Sequence, residues 1–158
     1  MIIANPTKEI FSDLQNELAD LYDRAYEGPV MKLYKEVRPP KVFLQFLYSI
    51  DPEGFFVAED KGNILGFVSV HREWQTTDGE TVTEIQELAV DPGARSKDVG
   101  HQLLLRGLEF ARDKGLQQVG TWVGEKNMRS RQILTQEGFR QKYSWGKWVR
   151  FAKTVRPA

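Results

Sequence analysis

Residues 84 to 104 read Glu84-Ile85-Gln86-Glu87-Leu88-Ala89-Val90-Asp91-Pro92-Gly93-Ala94-Arg95-Ser96-Lys97-Asp98-Val99-Gly100-His101-Gln102-Leu103-Leu104. An apolar strand runs through a tight turn and a short basic loop into a helix. The first backbone N–H groups of a helix have no partner within it, and the aligned peptide dipoles favour negative charge there. Such a start is suited to a phosphate. Arg95 and Lys97 add positive charge to the loop, and Gly100 has no side chain to keep a ligand from the backbone.

Leu88-Ala89-Val90-Asp91-Pro92 followed by Arg95-Ser96-Lys97-Asp98-Val99-Gly100 resembles the acetyl-CoA motif of the GNAT N-acetyltransferase superfamily. Asn127, Ser130, Ile133 and Gly138-Phe139 sit at the spacings of that superfamily's second motif. The resemblance covers Gly54 to Phe151 and is weakest over the N-terminal third. It implies an α/β fold with a mixed, mostly antiparallel twisted sheet flanked by helices, whose central parallel strands splay. The pantetheine arm of acetyl-CoA would lie in the gap, against the backbone of Leu88, Ala89 and Val90 and beside a helix starting at Asn127. The diphosphate would sit on Arg95, Ser96, Lys97, Asp98, Val99, Gly100 and His101. No metal is implied.

Two positions depart from the family pattern. Residue 98 is normally Gly, and here Asp98 puts a carboxylate beside the diphosphate site. Two like charges near 4 Å cost about 4 kcal/mol at an effective dielectric of 20, before screening. Asp98 therefore reads either as a group that weakens the cofactor site or as an N-cap accepting from the N–H of Gly100 or His101. The second departure is Leu134, where many relatives carry a Tyr that protonates the leaving thiolate. That work would fall to Tyr143, to water, or to nothing.

An amine acceptor must lose a proton before it attacks. Glu84 and Glu87 are the candidate bases, and in a regular strand residues three apart face opposite sides. On that geometry only one of them serves; Glu84 occupies the place where several relatives hold a glutamate base. A backbone N–H aimed at the thioester oxyanion would contribute roughly 3 to 4 kcal/mol to the barrier. Arg129 and Arg131, with Lys126 nearby, are candidates for the nucleotide 3'-phosphate. Trp122, Trp145 and Trp148 read either as packing residues or as walls of an acceptor pocket.

Outward from the central stretch, strands and helices alternate. Ile2 to Ala4 is a short strand; Thr7 caps a helix on which Phe11, Leu14, Leu18, Leu21 and Tyr22 recur near the helical period, and Gly28-Pro29 breaks it. Pro39-Pro40 opens a second helix, Lys41 to Ile50, closed by Asp51-Pro52. Val30 to Arg38 carries no periodicity. Strands follow from Phe55 to Glu59, Ile64 to Trp74 and Thr81 to Val90, joined by Asp60-Lys61-Gly62-Asn63 and Thr77-Asp78-Gly79-Glu80. Val99, Leu103, Leu104, Leu108 and Ala111 mark a helix ending near Gly115. A strand from Gln117 to Val123, a helix from Asn127 to Glu137 stopped by Gly138, and strands from Phe139 to Trp145 and Lys147 to Thr154 complete the order.

The chain has 158 residues, 41% hydrophobic and 28% charged, which suits one domain spanning 1–158. Lys and Arg balance Asp and Glu at 22 each, so neither nucleic acid nor an anionic membrane is expected as the main partner. With no cysteine there is no disulfide, thiolate metal site or Cys nucleophile, and the cytoplasm is the expected compartment. His71 and His101 are too few for a metal site. Two functions follow. The first is transfer of an acetyl group from acetyl-CoA to the primary amine of a small molecule or protein, by direct attack in a ternary complex. The second is a non-catalytic relative that binds CoA weakly or a partner protein. Homodimers are common in the superfamily. Tyr22 to Arg38 and the last hairpin would form the acceptor pocket.

Overall fold

A computed structural model describes residues 1–114 and 116–156, apart from the side chains of Ser96 and Lys97. Gly115, the expected helix end, lies outside the described residues. The elements run β1 (Ile2–Ala4), α1 (Lys8–Ala25), α2 (Pro40–Ile50), β2 (Phe55–Asp60), β3 (Asn63–Gln75), β4 (Thr81–Val90), α3 (Val99–Asp113), β5 (Gln118–Gly124), α4 (Met128–Gln136), β6 (Arg140–Trp145) and β7 (Trp148–Thr154). Single 3-10 turns at Met31–Tyr34, Pro52–Gly54 and Pro92–Lys97 punctuate them. The stretch without periodicity thus contains one 3-10 turn, too short to show a repeat.

Local chemistry accounts for the boundaries. The Thr7 hydroxyl accepts from the N–H of Ile10 at 3.2 Å, fixing the start of α1. Pro at the first position of α2 lacks only an N–H that no helical partner would have taken. Gly138, at φ 86°, takes the left-handed conformation that ends α4.

The strands form one seven-stranded sheet in the order β1-β2-β3-β4-β5-β7-β6, antiparallel except for β4 beside β5. On one face α1 and α2 bury Leu18, Leu21, Leu44 and Leu47 against Phe55 and Phe67. On the other, α3 packs Leu103, Leu104 and Leu108 against Val68, Val70 and Ile85. At about 25 cal/mol per Å² of apolar surface removed from water, this burial is the main force holding both layers to the sheet.

Two irregularities place the site. The parallel pairing of β4 with β5 covers only Thr83 with Val119, Glu84 with Gly120 and Ile85 with Thr121; beyond that rung the strands part. At the same place β4 is bulged, because Val70 pairs with Ile85 and the adjacent Ser69 with Glu87, leaving Gln86 as the extra residue.

Candidate active site

The bulge overturns one expectation. Glu84 and Glu87 were expected on opposite faces, but the inserted Gln86 resets the alternation. Their partners His71 and Ser69 are two residues apart on β3, so both carboxylates belong to the face covered by α1 and α2. A cavity of about 950 Å³ opens where the strands separate, and both glutamates line it.

Their environments differ. Glu84 is buried and accepts from the Arg150 guanidinium at 2.7 Å, while its other oxygen, Oε1, has no partner among the described residues. Burial raises its pKa against the opposing pull of Arg150. Glu87 is half-buried in the cavity wall and accepts from the Tyr26 hydroxyl. No cation is paired with it among the described residues. Desolvation pushes its carboxyl up to about 8, partly opposed by the Tyr26 hydrogen bond. Tyr26 is raised in turn, by burial and then by the Glu87 charge.

The other site residues sort by what they touch. Leu88 and Asn127 line the cavity. Val90 is half-buried against the α3 core, and Ala89 is buried in the core under α1 and α2. Asn127 also caps α4, accepting from the N–H of Ser130 at 3.3 Å. Val99 is fully buried. Gly100 was expected to leave room for a ligand; a Cβ there would lie 3.3 Å from Ile133 and 3.4 Å from Val90, so its first effect is to let α3 approach β4 and α4.

The N-cap reading of Asp98 is also corrected. Asp98 has φ 61° and ψ 20°, and among the described residues no side chain caps α3. Its carboxylate, 62% exposed, accepts from the Gln102 side chain at 3.2 Å and faces His101 at 3.4 Å. A left-handed backbone explains why glycine is usual here, and Asp is among the few other residues that tolerate it. Because the carboxylate turns along the helix, it leaves the N–H groups of Val99, Gly100 and His101 without a cap among the described side chains.

Arg95 is half-buried and donates to the carbonyl of Ala25 at 3.1 Å, tying the loop to the end of α1. Burial, then the charge of Arg129, holds its guanidinium below the usual range. His101 is held by Glu137 at the end of α4, an interaction that raises its pKa. Arg131 donates to the Glu125 carbonyl at 2.6 Å and to Gln141 at 3.2 Å, bracing the start of α4; Arg129 and Lys126 are exposed nearby. The side chains of Ser96 and Lys97 lie outside the described residues.

Trp122, Trp145 and Trp148 all line the cavity. Tyr143 does too; it is 52% exposed and sits edge-on to Trp122 at 5.6 Å. Leu134 is buried. Tyr26 and Tyr34 belong to the Tyr22 to Arg38 segment expected at the acceptor pocket and Arg150 to the last hairpin, though none was singled out; Gln86 was not expected here. For Arg150 there was a signal, a lone cation between the apolar Val149 and Phe151 of a strand. Tyr34 packs its ring on Gly124, where a Cβ would come within 2.5 Å, and accepts from the Lys126 N–H at 2.9 Å.

A mixed sheet whose parallel strands part over a carboxylate-lined cavity, with helices on both faces, defines an acyl-CoA N-acyltransferase fold. The acetyltransferase (GNAT) family model matches residues 15–139, and the chain belongs to that family. It is 31% identical over 97% of its length to an uncharacterized N-acetyltransferase of Methanocaldococcus jannaschii, spanning 66% of that relative. A crystal structure from Pyrococcus horikoshii OT3 superposes with a TM-score of 0.84 at 28% identity, over 98% of both chains. PaiA N-acetyltransferase from Thermoplasma acidophilum, crystallised with coenzyme A, superposes at 0.74 and 16% identity over 98% of both chains, a likeness of fold.

Proposed function

We propose that this protein transfers an acetyl group from acetyl-CoA to a primary amine, with Glu87 as the base. The observation that carries the reading is the carboxylate of Glu87, unpaired with any cation among the described residues, in the cavity wall where β4 and β5 separate. A base works best when its pKa lies near the working pH, and a carboxyl pushed up to about 8 is matched to an ammonium far better than an ordinary one. Glu84 is less suited, because its negative charge is already held by Arg150.

Glu87 takes a proton from the ammonium form of the acceptor. The amine nitrogen then bonds to the thioester carbonyl carbon, the C–S bond breaks, and the nitrogen gives its second proton to water as the amide forms. The thiolate leaves and is protonated by water or by Tyr143. The unpaired edge of β4 beyond Ile85 supplies backbone groups for the cofactor, and the first turn of α3 supplies N–H donors for its diphosphate.

The test is a panel of primary amines with acetyl-CoA, read by release of free thiol. Release that requires both substrates supports the reading. Binding of acetyl-CoA with no amine-dependent thiol at any pH overturns it in favour of a non-catalytic relative.

A further inference from the structure

The wall of the cavity specifies an acceptor chemistry, an inference that rests on the function proposed above. Its charged groups are largely matched among themselves. Arg150 holds Glu84, Arg38 holds Glu36 at 2.9 Å, and Lys35 holds Asp23. Lys147, exposed at the β6–β7 turn, donates to the carbonyl of Leu33 and lies 5.9 Å from the ring centre of Trp148. Glu87 is the one charged residue of the wall, among those described, with neither an opposite charge nor a carbonyl as partner. The site therefore has room for a single positive charge.

Aromatic side chains cluster on two sides of the wall, among polar and aliphatic residues. Tyr26 and Phe43 stand on the α1 and α2 side; Trp122 and Tyr143 face them from β5 and β6, with Trp148 beyond. The rim is apolar as well: Val37 is 97% exposed and Trp145 76% exposed, and both border the cavity. Apolar side chains left in water around an opening mark a binding surface. Ring edges and faces favour a flat apolar partner and a cation at close range.

We propose that the acceptor is an arylalkyl monoamine, its ammonium seated at Glu87 and its ring against Trp122 and Tyr143. A polyamine would bring further charges to carboxylates that are already paired. An α-amino acid would place its carboxylate next to Glu87. A peptide would add an amide at each residue, and the rings of Trp122 and Tyr143 offer those amides aromatic surface rather than hydrogen-bond partners.

The test begins with binding, which does not depend on turnover. Calorimetry on the CoA-saturated protein compares phenylethylamine, butylamine, spermidine, phenylalanine and a short peptide with a free N-terminus. Phenylethylamine should bind roughly tenfold or more tightly than any of the others. Trp122→Ala should erase that preference, and Trp122→Phe should keep part of it. Equal or tighter binding of any other member of the panel overturns the proposal, as does no amine binding. Turnover separates the two readings. Preferred binding of the arylamine without acetylation sinks the transfer reaction and upholds the pocket chemistry; acetylation of a different amine in preference does the reverse.

Discussion

Arg150 reaches across Gly120 to hold Glu84 at 2.7 Å, on the middle of the three rungs that join β4 to β5. A Cβ on Gly120 would fall inside that guanidinium, so the glycine is required by the ion pair above it. The pair thus joins β4 to β7 across β5 at the point where the sheet opens.

Breaking the pair should be costly. Arg150→Ala leaves the Glu84 carboxylate buried and uncompensated, and about 3–5 kcal/mol of stability is expected to be lost. Gly120→Ala should lose about 1–3 kcal/mol by displacing the guanidinium. Urea unfolding with an unchanged m-value measures both; losses under 0.5 kcal/mol, the scale of ordinary surface substitutions, would contradict the clasp.

Glu87 should make stability depend on pH. Its folded pKa, about 8, lies above its ordinary 4.5. Its contribution is therefore fully present below about pH 4.5 and is lost as pH rises through 8. Contact with the cavity screens part of this. Glu87→Gln removes the dependence, so its melting temperature relative to the parent should climb by a few degrees between pH 4 and pH 9. A constant difference across that range would rule out a raised Glu87.

Asp98 gives a backbone test. Asp98→Gly should raise stability slightly, relief of the left-handed strain outweighing the loss of a favourable charge at the helix start, and should tighten acetyl-CoA binding because that charge repels a diphosphate. Asp98→Ala should instead lose about 1 kcal/mol relative to the glycine variant. Thermal unfolding and calorimetry of the two variants decide it; equal stability of Ala and Gly would contradict the strain.

His101 should act in the same sense as Glu87, for a different reason. Its raised pKa comes from the Glu137 hydrogen bond, so the link between α3 and α4 is fully formed below about pH 6.5 and weakens as pH rises through the folded value. His101→Gln should flatten that part of the stability profile, measurable by thermal melts from pH 5 to 9.

Most elements were legible because their signals are local. Thr7, Pro40 and Gly138 mark helix ends by chemistry within one turn, and the residues between Gly54 and Val90 alternate with turn residues at the joints. The loop into α3 was legible for the same reason. The relation between Glu84 and Glu87 was not, because a bulge at Gln86 depends on how β3 registers against β4. The hydrogen bond of Tyr26 to Glu87 and the Arg150 pair with Glu84 join distant residues, so no sequence window contains them. The conformation of Asp98 hid behind its side chain, which suggested a cap where the backbone supplied the constraint. The tryptophans allowed two readings until the hairpin was placed beside the opening.

The pH dependence of kcat/KM for acetyl transfer tests the role of Glu87 most directly. The parent should show a rising limb near pH 8. Glu87→Gln should lose that limb along with roughly 100-fold or more of the rate. Glu84→Gln should keep the limb at whatever rate its damaged ion pair allows. A limb that survives in Glu87→Gln and disappears in Glu84→Gln would contradict the assignment.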